Sequence, residues 1–261
     1  MLGGRTNRAW QITGREGQAV AVKLYSRKSR NPMFPNDPMA EAALLRHLSG
    51  TGLVPRLLVD IPTPLGICLV YTMIPGTLWR SDVDVVAATV RRLHRLRAPS
   101  GLRKAPDGSA EIAYHTELIL DLCSSGQDLQ EARPRMAVPP CGQKALLHGD
   151  IVPGNLIANE SGLYLIDWQC PAIGDPCEDI GVFLSPAMQH LYRGHVLSPA
   201  EEAQFLDAYA DTELSTRYQK LAPWYHWRMA AYCLWQVENG REEYGAGLKL
   251  EWDALQRSLS A

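Results

Sequence analysis

Three residues in one stretch of the chain have the types and spacing to do chemistry. Asp150 and Asn155 stand in His148-Gly149-Asp150-Ile151-Val152-Pro153-Gly154-Asn155, and Asp167 follows the apolar run Leu163-Tyr164-Leu165-Ile166. The first motif puts a carboxylate and a carboxamide on a tight loop. The second puts another carboxylate at the end of the next short strand. A hairpin between the two strands would bring all three to one mouth. Asp150 can there accept a hydroxyl proton, while Asn155 and Asp167 offer hard oxygen ligands for magnesium on nucleotide phosphates. The set suits phosphoryl transfer. Singly, Asp and Asn in Pro-Gly loops make turns, and His148 reads as a packed loop histidine with a structural role. The conjunction carries the chemical reading.

The surrounding elements must position this trio. Residues 9–25 read as a hairpin ending in the β-rich run Gln18-Ala19-Val20-Ala21-Val22-Lys23-Leu24-Tyr25, followed by a loop over 26–38. Asp37-Pro38 opens a helix to about residue 48, and Ser49-Gly50 stops it. Strands are expected over 53–59 and 66–72, then a break at Ile74-Pro75-Gly76. Helices follow over 83–96 and 112–122, separated by a loop at 101–109. Short strands over 145–148, 155–158 and 163–166 flank the chemical loop. From Asp179 onward the chain reads as helical, with Pro199 opening one helix and Pro223 interrupting another over 218–238. The fold class expected is α+β and two-lobed, with a small β-rich lobe (1–74), a hinge end (75–77) and a larger, mainly helical lobe (78–261).

Composition narrows the alternatives. The chain has 261 residues, 46% of them hydrophobic, and Lys plus Arg (26) nearly balances Asp plus Glu (28) for a formal charge of −2. That balance argues against nucleic acid as a partner. No apolar run has the length of a membrane span, and the first residues have no signal-peptide core, so a cytoplasmic protein off the membrane is expected. The six cysteines form no C-x-x-C pair and read as reduced, mostly buried thiols. No H-E-x-x-H occurs, and the histidines form no ligand-like cluster, which weakens a metallophosphatase reading.

Together, His148-Gly149-Asp150 through Asn155, Leu165-Ile166-Asp167-Trp168 and Gly174-Asp175-Pro176-Cys177-Glu178-Asp179-Ile180 resemble the aminoglycoside phosphotransferase/choline kinase superfamily. The resemblance runs from Gly3 to about Trp235 and is most specific over 148–180. It implies a protein-kinase-like fold and an ATP- and Mg2+-dependent kinase of small-molecule hydroxyls. Asp150 then falls at the catalytic base, Asn155 and Asp167 at the magnesium ligands, and Asp175 and Asp179 at positions that brace the catalytic loop. Gln169 departs from the family pattern, where many relatives carry Glu. Ala21-Val22-Lys23 resembles the kinase A-x-K, with Lys23 gripping phosphates and Glu41 placed to pair with it. Gly3-Gly4-Arg5-Thr6-Asn7-Arg8 resembles a phosphate loop of choline and thiamine kinase relatives, in which Gly3, Gly4, Thr6 and Asn7 would contact nucleotide. Tyr71-Thr72-Met73-Ile74 would be the adenine-reading hinge, with Tyr71 and Met73 in the nucleotide set.

For the acceptor, Trp224, Trp227 and Trp235 fall near one helical face. They suit either core packing or an aromatic box for a cationic substrate. The resemblance to choline kinases favours choline, ethanolamine or thiamine. An aminoglycoside-like polycation is the alternative, thinly supplied by the acidic run Glu238, Glu242 and Glu243. A catalytically silent nucleotide-binding protein is the reading of another class, opposed by intact Lys23, Asp150, Asn155 and Asp167. Oligomeric state is left open. Relatives usually have a strand before the phosphate loop, where this chain has only Met1-Leu2, so an absent strand or a start further upstream is expected.

Overall fold

The computed structural model describes residues 7–14, 17–25 and 31–260. The N-terminal region is an antiparallel sheet built from β1 (Arg8–Thr13), β2 (Ala19–Leu24), β3 (Leu57–Thr63) and β4 (Gly66–Thr72), in the order β1-β2-β4-β3. Between β2 and β3 lies helix α1 (Pro38–His47). Asp37 caps it by accepting the amides of Met39 and Ala40 at 2.9 and 3.0 Å, and Pro38 supplies a preset first-turn φ.

The expected strand over 53–59 is displaced to Leu57–Thr63. Leu53 and Val54 are buried in the main core, and pairing with β4 through Thr63↔Gly66 fixes the register further on. Pro62, which cannot donate to a ladder, is tolerated because β3 is an edge strand.

After Thr72 the chain reaches β5 (Thr77–Leu78) and α2 (Val83–His94), then β6 (Arg103–Lys104), α3 (Gly108–Leu120), α4 (Gln127–Glu131) and β7 (Ala145–Leu147). Strands β8 (Leu156–Asn159), β9 (Gly162–Leu165) and β10 (Ala172–Gly174) lead into α5 (Cys177–Phe183), α6 (Pro186–Arg193), α7 (Pro199–Tyr209), α8 (Thr212–Glu238) and α9 (Gly245–Ser260). Two small sheets, β5-β8-β9 and β6-β10-β7, hold the candidate catalytic residues between them. The result is a mixed α+β fold with an N-terminal sheet and a helical C-terminal region.

Several boundaries differ from expectation, among them α3, which runs over Gly108–Leu120 and not 112–122. Helix α8 starts earlier than residue 218 and continues through Pro223. A mid-helix proline costs about 3 kcal/mol, but the helix buries Leu221, Trp224, Trp227, Ala231 and Cys233 around it, and that burial offsets the cost. The segment 101–109, read as a loop, contains β6, which pairs parallel to β10.

One large core joins the helices and continues upward to Leu44, Leu45 and Leu48 at α1, while Tyr25, Ala42 and Leu69 form only a small separate cluster under the N-terminal sheet. All six cysteines are free thiols. Among the described residues no helix is long and apolar enough to cross a membrane.

Candidate active site

The catalytic loop leaves β7 at His148. Asp179, in the first turn of α5, accepts the backbone amides of His148 at 2.9 Å and Gly149 at 2.8 Å, and is itself held by His94 Nε2 at 3.0 Å. Burial alone would raise its pKa, but the His94 hydrogen bond and the His94 and His148 rings hold it below the usual carboxylate range. His148 fills the structural role expected of it. Its Nδ1 accepts the Asp150 amide at 3.2 Å, its Nε2 donates to the Ile166 carbonyl at 3.0 Å, and its ring packs 4.3 Å from Trp168. Gly149 has φ +81, and a Cβ there would lie 2.2 Å from the Cys170 carbonyl oxygen, so only glycine lets the loop press so close.

This bracing holds Asp150 beside Asn155 and within reach of the Asp167 and Lys23 charges. Asn155, at the end of a 3₁₀ turn over Pro153–Asn155, donates its Nδ2 to the Asp150 carbonyl at 2.9 Å and to Asp150 Oδ2 at 3.2 Å. Burial first, then the Asp167 carboxylate, pushes the Asp150 pKa up to about 8, against the pull of Asn155 and Lys23. A carboxyl pKa raised toward the working pH gives a stronger base in the fraction that is ionised.

Asp167, just past β9, adopts a left-handed backbone with φ 62. Such a conformation is rare for a residue with a Cβ. It meets Lys23, from the centre of the N-terminal sheet, and Lys23 in turn pairs with Glu41 of α1 at 2.6 Å. The Tyr25 hydroxyl also donates to Glu41. Burial alone would push the Lys23 ammonium down, but Asp167 and Glu41 outweigh it and hold its pKa well above the ordinary value.

Among the described residues, no group of three or more His, Cys, Asp or Glu could hold a metal ion alone. The donor set nevertheless fits magnesium held jointly with phosphates. Asn155 turns its amide nitrogen to Asp150, which leaves its carbonyl oxygen for a cation, and the Asp167 side chain is 34% exposed.

The other expected nucleotide residues fare differently. Gly3, Gly4 and Thr6 lie outside the described residues. Asn7 is buried, exchanges amide hydrogen bonds with Asn36 at 2.8 and 2.9 Å, and donates to Gln169 Oε1 at 3.0 Å. Its side chain thus binds protein, a correction to the expectation that it faces phosphate. Tyr71 stands across β2 from Ala21, near Lys23. Met73 donates its amide to the Ala19 carbonyl at 3.2 Å, so this amide belongs to the sheet and does not read adenine as expected.

The aromatic box also needs correction. Trp224 and Trp227 are buried in the core and donate their indole N–H groups to the Met136 and Leu129 carbonyls at 3.0 and 2.6 Å. A helix as enclosed as α8 buries two of its tryptophans whichever face they share. Trp235 is only half-buried and stacks on Tyr232, whose phenol is near enough to Asp150 to feel its charge. Asp175 accepts the Cys177 amide and pairs with Arg217 at 2.7 Å, so it anchors α8 and leaves the catalytic loop to Asp179. Glu238 accepts from the Ser124 and Ser125 amides at 2.6 and 2.9 Å and so serves the α3–α4 connection.

Two neighbours of the loop carried no sequence signal. Tyr192 lies against Gly154, where a Cβ would fall 2.5 Å from its ring. Arg103 sits over Gly149 and donates to the Cys170 carbonyl at 2.9 Å. Both are single residues in unremarked segments.

Comparison with known proteins agrees with this geometry. The model of the Phosphotransferase enzyme family (APH) matches residues 2–224. A hydroxyurea phosphotransferase from Kitasatospora aureofaciens is 29% identical over 252 residues, covering 91% of this chain and 68% of that protein. Among solved structures, a choline/ethanolamine kinase family protein from Mesorhizobium loti superposes with TM-score 0.68 at 16% identity, covering 99% of this chain and 90% of that one. An amicoumacin kinase in complex with AMP-PNP and Ca2+ superposes with TM-score 0.63 at 15% identity, over 98% and 87%. The matched residues include the whole catalytic loop and the Lys23–Glu41 pair, and the chain belongs to the phosphotransferase enzyme family.

Proposed function

We propose that the chain moves the γ-phosphoryl group of ATP to a hydroxyl of a small molecule. The observation that carries this reading is the convergence of Lys23, Glu41, Asp150, Asn155 and Asp167 on one cleft. Lys23, steadied by Glu41, meets the α/β phosphates. The acceptor hydroxyl gives its proton to Asp150 as its oxygen bonds to phosphorus. The bond from phosphorus to the bridging oxygen breaks, and ADP leaves with the electron pair. Asn155 and Asp167 would hold magnesium, which when bound would neutralise charge on the phosphates. Most of the rate gain comes from positioning and electrostatics. The nucleotide analogue and Ca2+ in the amicoumacin kinase complex support ATP and a divalent ion as cofactors.

Two acceptor readings have support. An amino alcohol such as choline, ethanolamine or thiamine is favoured by the Tyr232–Trp235 stack, with ring centroids 6.0 Å apart, whose phenol senses the Asp150 charge. A hydroxyurea-like acceptor is favoured by the relative named for that substrate. The aminoglycoside-type alternative weakens because Glu238 is already engaged by Ser124 and Ser125.

The test is an ATP-consumption and phosphoryl-transfer screen over choline, ethanolamine, thiamine, homoserine, sugars, aminoglycosides and hydroxyurea. Asp150→Ala should abolish turnover while largely preserving ATP binding. Full activity in that variant sinks the assignment.

A further inference from the structure

Beside the catalytic loop lies a partly open cavity of about 20 Å³, lined by Gly149 and, on another side, by Met33 and Phe34. Four charged or polar side chains reach it, from β6 (Arg103), α3 (His115), α5 (Glu178) and α8 (Arg228). Each has one buried atom without a hydrogen-bond partner among the described residues: Arg103 Nε, His115 Nδ1, Glu178 Oε1 and Arg228 Nε. Arg228 is only 2% exposed and Glu178 8%, so these groups have little recourse to bulk water. An unmade hydrogen bond at such depth carries the full desolvation penalty of its group. Four around one void call for an occupant.

The remaining bonds fix what each orphan offers. Arg228 pairs with Glu178 through Nη2 and Oε2 at 2.9 Å, and Arg103 holds the Cys170 carbonyl through Nη2. Both Nε–H groups are left as donors. His115 Nε2 lies 3.0 Å from the Pro32 carbonyl and donates to it. Burial first, then the Arg228 charge, pushes the ring's pKa down to about 4, so it is neutral and its Nδ1 is an acceptor. Glu178 Oε1 is the second acceptor. The cavity therefore presents two donors and two acceptors.

That set discriminates among ligands. An anion would satisfy the arginines but face Glu178 and leave His115 unmet. A cation would satisfy the acceptors but face two guanidinium groups. A neutral amide matches all four: its carbonyl oxygen accepts twice, and its NH2 donates twice. The volume agrees, because a water needs roughly 10–15 Å³ on this measure, and a C=O beside an NH2 is about the size of two waters.

We propose that this cavity recognises the carboxamide or ureido end of the acceptor, so that the preferred substrates are small neutral hydroxyl compounds bearing such a group. The inference rests on the kinase reading above. It places the recognised end beside Gly149, one residue from the catalytic Asp150. Phe34, which lines the cavity, packs edge-on to Tyr232 with ring centroids 5.2 Å apart, and so stands between the cavity and the aromatic stack.

The experiment measures phosphoryl transfer to hydroxyurea and glycolamide against ethanolamine and choline, with calorimetric binding of hydroxyurea in parallel. We expect kcat/KM at least tenfold higher for the amide-bearing acceptors. Arg228→Lys and Glu178→Gln should each raise their KM at least tenfold, with KM for ATP within twofold of the unaltered chain. Calorimetry keeps the site testable if no acceptor turns over: saturable hydroxyurea binding, lost in folded Glu178→Gln, supports the site even where the kinase reading fails. Equal or better turnover of ethanolamine or choline overturns the proposal. So does absence of hydroxyurea binding, which would leave the cavity to ordered water.

Discussion

Gln169 Oε1 accepts the Asn7 amide at 3.0 Å, joining the segment after Asp167 to the start of the N-terminal sheet. The same residue accepts the Asp37 amide on its backbone carbonyl at 2.9 Å, next to the first turn of α1. Through its neutral side-chain amide and its backbone carbonyl, Gln169 ties the start of the N-terminal sheet and the start of α1 to the segment after Asp167. Gln169→Leu removes the side-chain acceptor and leaves Asn7 short of a buried partner. We expect a loss of about 1–3 kcal/mol in denaturant unfolding, and a rise in KM for ATP that exceeds the fall in kcat.

Lys23 is buried between Glu41 and Asp167, so its removal uncovers two carboxylates at once. Lys23→Met should lower kcat/KM for ATP by about 10²–10³, the usual scale for losing one preorganised charge partner. It should also cost about 3–5 kcal/mol in stability. Glu41→Gln keeps a hydrogen-bond acceptor for Lys23 and should be milder on both counts. Equal effects of the two variants in steady-state kinetics would contradict this order.

Asp179→Ala strips the acceptor from the His148 and Gly149 amides and from His94. The expected cost is about 3 kcal/mol, since hydrogen bonds to a charged group are the stronger kind. Because the catalytic loop loses its brace while Lys23 keeps its partners, kcat should fall with little change in nucleotide affinity. Calorimetry with ATP and turnover on the same preparation separate the two.

His115 gives the fold an acid-sensitive element. Its pKa falls from 6.5 to about 4 on folding, under burial and the charges of Arg228 and Arg103, opposed by the Pro32 carbonyl. Between those values the unfolded chain binds a proton that the folded chain refuses. Stability therefore falls as pH drops from about 6.5 to 4, by up to about 3 kcal/mol at 1.36 kcal/mol per unit. In His115→Gln this share disappears, so the Tm difference between pH 7 and pH 4.5 should shrink relative to the unaltered chain.

The catalytic loop was legible because its chemistry is local: Asp150 and Asn155 sit five residues apart on one turn, and Asp167 ends the next hairpin. The Lys23–Glu41 pair was legible for a similar reason, each lying on a strongly patterned element. What escaped depends on tertiary packing. Three tryptophans at helical spacing look alike in sequence, yet Trp224 and Trp227 face the core and Trp235 its edge. The β3 register follows from its pairing with β4, which the Leu53 to Val59 apolar run does not encode. Arg103, His115, Glu178 and Arg228 span more than a hundred residues of chain, and only the fold brings them to one cavity.

Helix α1 directs Leu44 and Leu45, with Leu48 just beyond it, into the same core as the C-terminal helices, while among the described residues Tyr25, Ala42 and Leu69 form a small separate cluster between α1 and the N-terminal sheet. So small a separate cluster leads us to expect that the N-terminal region does not fold by itself. Residues 1–74 produced alone should stay largely unfolded, and the whole chain should melt in one cooperative transition with matching calorimetric and van't Hoff enthalpies. Damage to the catalytic region severe enough to unfold it at the assay temperature would then abolish nucleotide binding as well, even where no nucleotide contact is touched.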